Sequence, residues 1–153
     1  MKFLLGGTTL SVAVVGAFLW SQNAAVNAAG LLPYKDDAAV ARGTVVYQDN
    51  CASCHGDQLQ GQANWRERDS DGYLPAPPHN ANGHTWHHRD AQLLAITQKG
   101  TAALVGNGYR SRMQGYEDVL SQQDMLSVLA YIKSTWSPEI IARHNQINGQ
   151  AEE

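Results

Sequence analysis

The sequence lacks the basic surface that nucleic-acid binding requires. Its 153 residues contain 11 Lys and Arg against 14 Asp and Glu, which gives a formal net charge of −3 at pH 7. The basic residues form no stripe of the kind that follows a phosphate backbone. We therefore expect other proteins, and not nucleic acids, as partners of this chain.

Cysteine is also scarce, since Cys51 and Cys54 are the only two. A structural zinc site built from such a pair needs a second pair of ligands at a regular spacing, and the sequence shows none. A redox dithiol with this spacing normally lies near a βαβ pattern, but strand-like runs are missing. A disulfide between the two cysteines is the remaining simple interpretation.

What the sequence does have is a histidine directly after the second cysteine. Cys51-Ala52-Ser53-Cys54-His55 matches the pattern by which haem is attached covalently to protein. The two thiols can add to the two haem vinyl groups and form thioethers, and the two-residue gap suits the distance between the vinyls. His55 then lies under the ring, where its imidazole can bind iron as the proximal ligand. With no further cysteine, the chain is predicted to hold one covalent haem.

The N-terminal segment lacks charge almost entirely. No charged residue lies between Lys2 and Lys35, and residues 3–20 are largely apolar. Val26-Asn27-Ala28 offers small residues where a signal peptidase cleaves, so we expect residues 1–28 to be a secretory signal peptide. The alternative is an uncleaved N-terminal membrane anchor. Both interpretations place the rest of the chain in the bacterial periplasm, where covalent haem attachment takes place.

The remaining chain shows apolar residues at three- and four-residue steps, which predict helices. Asp36 or Asp37 can cap the first helix, Ser121 is typical of an N-cap, and Pro138 suits the first turn of a last helix. We expect one domain over residues 29–144 and a flexible tail over residues 145–153. Helices are predicted at 36–49, 90–99, 121–135 and 138–144, with long loops at 56–88 and 101–120.

Haem iron in an electron carrier needs a sixth ligand, and Met113 is the candidate. It lies in the Gly-rich loop before the helix that starts near Ser121. Met125 falls at a core-facing position of that helix, where a methionine normally packs. Histidine and methionine form a common ligand pair of electron-carrying haems. The sequence therefore predicts His55 and Met113 as the two iron ligands.

These motifs resemble those of class I cytochromes c, in particular the small bacterial monohaem ones, over about residues 37–136. The resemblance is carried by Gly43 and Tyr47, by Cys51–His55, by Met113-Gln114-Gly115-Tyr116 and by Leu129-Ala130-Tyr131-Ile132-Lys133. It implies an all-α class I cytochrome c fold, in which helices wrap around one covalently bound haem c. In that family the first and last helices cross, which here implies that the first helix crosses the helix predicted at 121–135, with Gly43 and Tyr47 against Val128 and Tyr131.

The same resemblance suggests further contacts of the haem. A proline carbonyl accepts a hydrogen bond from the proximal imidazole in this family, and Pro77 fits this role best, with Pro78 as the alternative. Family members often have proline after the ligand methionine, whereas Gln114 stands there in this chain, which leaves the loop less rigid. Trp86 is expected to pack on the haem edge.

Arginines and histidines provide the remaining candidates. Arg110 and Arg112 flank the methionine loop, and either can pair with a haem propionate or remain solvated. His79, His84, His87 and His88 can form a copper or zinc site, supply an alternative iron ligand, or belong to a polar loop without a metal.

From these residues we expect a one-electron carrier of a bacterial extracytoplasmic respiratory chain, and not an enzyme. With both axial positions occupied by side chains, iron can change oxidation state without binding a substrate. Its partners would be redox proteins that it contacts briefly over a small area. The alternatives are a haem c subunit anchored to a membrane oxidoreductase and a five-coordinate haem enzyme or sensor.

Overall fold

The computed structural model describes residues 30–149, and the regular secondary structure in this range is helical. No strand occurs in this range, in agreement with the expected all-α fold; Gly100 and Gln114 form an isolated antiparallel bridge. The expected signal peptide or anchor over residues 1–28 lies outside the described range. The helices are α1 (Asp37–Asn50), α2 (Ala52–His55), a 3₁₀ turn (Thr85–His87), α3 (Asp90–Lys99), α4 (Thr101–Val105), α5 (Gln122–Ser134) and α6 (Pro138–Ile147).

Local sequence signals set the starts of the long helices. The Asp36 carboxylate accepts two backbone N–H groups of the first turn of α1. Ser121 and Asp124 form a reciprocal capping box at the start of α5. Ser137 caps α6, and Pro138 follows in the first turn, where its missing N–H costs nothing. Each such cap contributes about 1 kcal/mol to helix stability.

The main helix–helix contact joins α1 and α5. A Cβ at Gly43 would lie 1.9 Å from the carbonyl oxygen of Ser127, so only glycine allows the two backbones to approach this closely. The rings of Tyr47 and Tyr131 lie 5.4 Å apart at 56°, and Tyr47 belongs to the same buried cluster as Val128. The expected crossing of these helices is therefore present.

An apolar core forms around this crossing. A fully buried aliphatic or aromatic side chain of this kind contributes about 1.5–3 kcal/mol. Trp136 closes one side of the core, and its indole Nε1 donates to the carbonyl of His79 at 2.7 Å. The buried cluster consists of Leu32, Val46, Tyr47, Ala52, Leu59, Leu93, Val128, Leu129, Ile132 and Trp136.

Three buried ionisable side chains join α3, α5 and α6. Asp90 is 2% exposed, and Lys133 and His144 are 0% exposed. The Oδ1 atom of Asp90 lies 3.4 Å from His144 Nε2 and 4.0 Å from Lys133 Nζ. Its Oδ2 atom accepts the Leu31 N–H at 3.0 Å, which ties the segment before α1 to the same group. We call Asp90, Lys133 and His144 the buried triad.

Two expectations about the second half of the chain were wrong. Residues 101–120 are not loop throughout, because Thr101–Val105 forms α4. The last helix does not end at His144 but continues to Ile147, so the expected boundary of a flexible tail at residue 145 falls inside α6. Asn145 accepts a hydrogen bond from Lys133 Nζ at 2.8 Å, and Asn148 accepts the Asp90 N–H at 2.8 Å. These contacts hold the end of α6 against the domain.

Among residues 30–149, no helix has the length and apolar character needed to cross a membrane.

Candidate haem site

Cys51 and Cys54 lie at the junction of α1 and α2. Cys51 is the residue between the two helices, and Cys54 faces solvent on the short helix α2. Both thiols are free. Burial, with a smaller contribution from Cys54, raises the pKa of the Cys51 thiol to about 11. Two free thiols spaced by one helical turn are what thioether formation with two vinyl groups requires.

His55 ends α2 and is 8% exposed. Its Nδ1 atom lies 2.8 Å from the carbonyl oxygen of Pro77. A carbonyl can only accept, so Nδ1 must carry the proton, and Nε2 then carries the lone pair. Burial lowers the pKa of the imidazole, and the bond to Pro77 opposes this shift. The ring is thus held neutral and oriented, as an iron ligand must be. Pro78, the alternative from the sequence, receives a hydroxyl contact from Thr85 instead.

The turn after His55 fixes its backbone. Gly56 has φ +81°, and a Cβ there would lie 2.3 Å from the Gln60 side chain, so the position requires glycine. The Tyr47 hydroxyl donates to the Gly56 carbonyl at 2.8 Å, and the Gly61 N–H donates to the His55 carbonyl at 2.7 Å. Burial raises the pKa of Tyr47, which keeps this donor protonated. The sequence assigned Tyr47 to the helix crossing and missed this second contact.

Met113 is half-buried in the loop between α4 and α5. Its thioether sulfur accepts a hydrogen bond from Thr101 Oγ1 at 3.7 Å. The next residue, Gln114, forms the bridge to Gly100, and the Tyr116 N–H donates to a carbonyl near the end of α3 at 2.9 Å. The loop is therefore fastened on the C-terminal side of Met113. Sequence analysis did not identify Thr101, because it was expected in a loop without structure.

Met125 occupies a different environment. It is 3% exposed within α5. A methionine surrounded in this way is a packing residue, which agrees with the role expected from its sequence position.

Arg110 and Arg112 both lie against the ring of Tyr73, with guanidinium carbons 4.3 Å and 4.2 Å from the ring centre. Arg112 also forms ion pairs with Asp69 and, at 3.3 Å, with Asp71. The hydrogen bond from Arg112 lowers the pKa of the Asp69 carboxyl. From the sequence, Arg112 was expected to contact a haem propionate or to remain solvated. Its pairing with Asp69 and Asp71 was not expected.

Trp86 lies in the 3₁₀ turn, and its ring stacks on His87 at 3.7 Å. Its indole Nε1 is buried and has no hydrogen-bond partner within residues 30–149. A buried donor without an acceptor is costly. A carboxylate such as a haem propionate would satisfy it.

The other histidines serve packing and hydrogen bonding. His79 Nδ1 lies 2.8 Å from the Thr85 hydroxyl, and its ring stacks on that of His55 at 4.0 Å. His84 stacks on Trp65. Across the described range 30–149, no three His, Cys, Asp or Glu side chains are grouped so that they can hold a metal ion. In this arrangement His79 and His84 contact neighbouring side chains of the loop and its 3₁₀ turn.

These observations fit a covalently attached haem. The chain offers two free thiols beside a neutral imidazole whose Nε2 is available, and an unpaired indole N–H in Trp86. Two cysteines and a histidine in this arrangement are the residues that attach haem c and supply its proximal ligand.

Comparison with known proteins identifies the family of the chain. The family model described as Cytochrome c matches residues 40–136, which is more than half of the chain. No curated protein and no solved structure matched. The matched range contains the cysteines, His55, Pro77 and Met113. The chain therefore belongs to the cytochrome c family, as a class I c-type cytochrome whose cofactor is covalently attached haem c.

Proposed function

We propose that this cytochrome carries single electrons between redox proteins of a bacterial extracytoplasmic electron-transfer chain, with His55 and Met113 as the axial ligands. The observation that carries the proposal is the hydrogen bond from His55 Nδ1 to Pro77, at 2.8 Å, directly beside Cys51 and Cys54. It leaves Nε2 as the ligating nitrogen. The family supports the coarser function of a haem-based electron carrier.

When bound, the haem supplies a one-electron iron couple, and the residues of this chain determine its surroundings. Pro77 orients the imidazole of His55 and increases its basicity. Met113 offers a thioether, a ligand that raises the reduction potential. The apolar core on the α1–α5 side excludes water, which favours the iron state of lower charge.

Export to the periplasm belongs to the same proposal. The apolar segment of residues 3–20 and the small residues at 26–28 support it. Mass analysis of the mature protein tests it. A mature chain that starts near residue 29 supports a free carrier, whereas retention of residues 3–20 supports a haem c subunit anchored at a membrane oxidoreductase.

The ligand assignment is tested with two methionine variants. Met113→Ala should abolish the near-infrared sulfur-to-iron charge-transfer band of the ferric protein. Met125→Ala is the matched control: it removes a buried side chain and costs about 2–5 kcal/mol of stability, but the band should remain. Survival of the band in Met113→Ala would assign the sixth ligand elsewhere.

Carbon monoxide separates a carrier from a five-coordinate enzyme or sensor. With Met113 on the iron, a ligand has to displace the thioether first, so the reduced wild-type protein should bind carbon monoxide slowly and incompletely at neutral pH. Rapid, stoichiometric binding would contradict the carrier function.

A further inference from the structure

One set of contacts joins the segment that follows His55 to the segment that carries Met113. Arg112 pairs with Asp69 and Asp71, 43 and 41 residues earlier in the chain. Its guanidinium also lies 4.2 Å from the ring centre of Tyr73. We call Arg112, Asp69, Asp71 and Tyr73 the loop clasp.

The Asp69 side of the clasp is organised by its own turn. Asp69 Oδ1 accepts the N–H groups of Asp71 at 3.0 Å and Tyr73 at 2.9 Å. The backbone N–H of Asp69 donates to the Tyr73 carbonyl at 2.9 Å, which closes the turn. One carboxylate oxygen is therefore used to build the turn, and the other, Oδ2, receives Arg112. The same segment continues to Pro77, the hydrogen-bond partner of His55.

On the other side of the clasp, Arg112 directly precedes Met113 in the chain. On its C-terminal side, Met113 is held to the end of α3 by the Gln114–Gly100 bridge. On its N-terminal side, the chain passes through Gly106 and Gly108, both with positive φ, and a Cβ at either would meet nothing within 4 Å. Between these glycines and Arg112, Tyr109 faces the Arg68 guanidinium and Arg110 faces the Tyr73 ring. Arg112 is the ion-paired residue nearest to Met113 in this loop, so its anchor should affect where Met113 lies.

We propose that the loop clasp is the positioning device that holds Met113 at the iron. The proposal rests on the proposed function, because it requires Met113 as a ligand. Arg112, Asp69 and Asp71 act through Met113 and do not contact the iron.

The exposure of the clasp decides how it behaves. The side chains of Arg112, Asp69 and Asp71 are 54%, 30% and 69% exposed. Exposed ion pairs contribute little to global stability, and salt screens them. The clasp should therefore change the retention of the methionine ligand, in a manner that depends on ionic strength, with almost no change in the unfolding midpoint.

The test uses the holoprotein and four variants: Arg112→Gln, Asp69→Asn, the double variant of both, and Arg42→Gln. Arg42 is the matched control, since it forms an exposed pair with Asp124 at 2.7 Å that does not involve the methionine loop. Two quantities are measured at low and high salt: the rate of carbon monoxide binding to the reduced protein, and the sulfur-to-iron band of the oxidised protein.

Each clasp variant should bind carbon monoxide about two- to fivefold faster than wild type at low salt, as expected for the loss of one exposed pair. The double variant should be no faster than the faster single variant, because either change breaks the same pair. High salt should bring wild type toward the variants, and Arg42→Gln should match wild type.

Three results would overturn the clasp, and they differ from failure of the ligand assignment. If wild type shows the sulfur-to-iron band and the clasp variants match it in both measured quantities, the clasp is refuted and Met113 remains the ligand. Additive single effects, or an equal effect in Arg42→Gln, refute a specific pair. A wild-type protein without the band refutes Met113 as the ligand and, with it, the clasp.

Discussion

Replacement of Asp90 by Asn would leave Lys133 buried without the carboxylate that faces it. In the native protein, burial lowers the pKa of Lys133 and the Asp90 carboxylate raises it. In the Asp90→Asn variant, Lys133 Nζ keeps its hydrogen bond to Asn145 and its position 4.5 Å from the ring centre of Tyr34. The amide oxygen of Asn can still accept the Leu31 N–H, so the perturbation is mainly electrostatic.

Its magnitude follows from the burial of both charges. Asp90 is 2% exposed and Lys133 is 0% exposed. Removal of one member of a buried pair costs about 3–5 kcal/mol. In a domain of this size, 1 kcal/mol shifts the melting temperature by about 4 °C. We therefore expect the melting temperature of Asp90→Asn to fall by roughly 10–20 °C.

The assays are urea unfolding of the holoprotein, which gives the free energy of unfolding, and thermal unfolding, which gives the melting temperature; both are followed by haem absorbance and by circular dichroism. Lys133→Met provides the second single variant, and the combined Asp90→Asn and Lys133→Met variant closes a double-mutant cycle. Because both charges are then absent, the double variant should be more stable than the sum of the single changes predicts, by about 1–3 kcal/mol. A cost below about 1 kcal/mol for Asp90→Asn, or strict additivity, would show that the triad does not act as an ion pair.

Further predictions concern the haem attachment, the helix crossing and the pH dependence of stability. Cys54→Ala should leave at most one thioether and greatly reduce the yield of holoprotein. Mass spectrometry after acid–organic extraction measures this, and complete extraction of haem from the wild type would contradict covalent attachment. Gly43→Ala should destabilise the protein by about 1–3 kcal/mol or more, because a Cβ there would lie 1.9 Å from the Ser127 carbonyl oxygen; an unchanged urea midpoint would argue against the close crossing. Burial and then the neighbouring Lys133 lower the pKa of His144, while Asp90 and the His88 carbonyl oppose this shift. The imidazole is therefore protonated more readily in the unfolded chain than in the folded protein. The free energy of unfolding should fall as pH drops below about 6.5, by at most about 1.4 kcal/mol per pH unit. Urea midpoints of wild type and His144→Gln across pH 5 to 8 test it, and identical pH profiles would exclude His144 as the titrating group.

Several elements follow directly from the local sequence. α3 occupies Asp90–Lys99, the range predicted from its apolar spacing and the following Gly100. Ser121 caps α5, as its position before the apolar run indicates. Such features can be predicted because the groups that form them lie within a few residues of one another, so the rest of the fold has little influence.

Other elements depend on distant residues. α4 has five residues, fewer than an isolated helix needs to be stable, so its formation depends on its surroundings. α6 extends to Ile147 because Asn145 and Asn148 find partners on α5 and α3. The choice between Pro77 and Pro78 as acceptor for His55 likewise depends on the path of a long loop, which periodicity does not predict.

The sequence by itself determined the haem chemistry and the family, since two thiols and an imidazole within five residues are brought together by covalent spacing alone. The tertiary structure decided which groups surround that chemistry. From the sequence, Arg112 was expected to pair with a haem propionate or to remain solvated, and it becomes the partner of Asp69 only because the fold brings together two segments 43 residues apart. The buried triad likewise depends on the packing of three helices. Loss of one charge from a lysine, an aspartate and a histidine costs several kcal/mol only when water is excluded from all three, and the sequence does not show that burial.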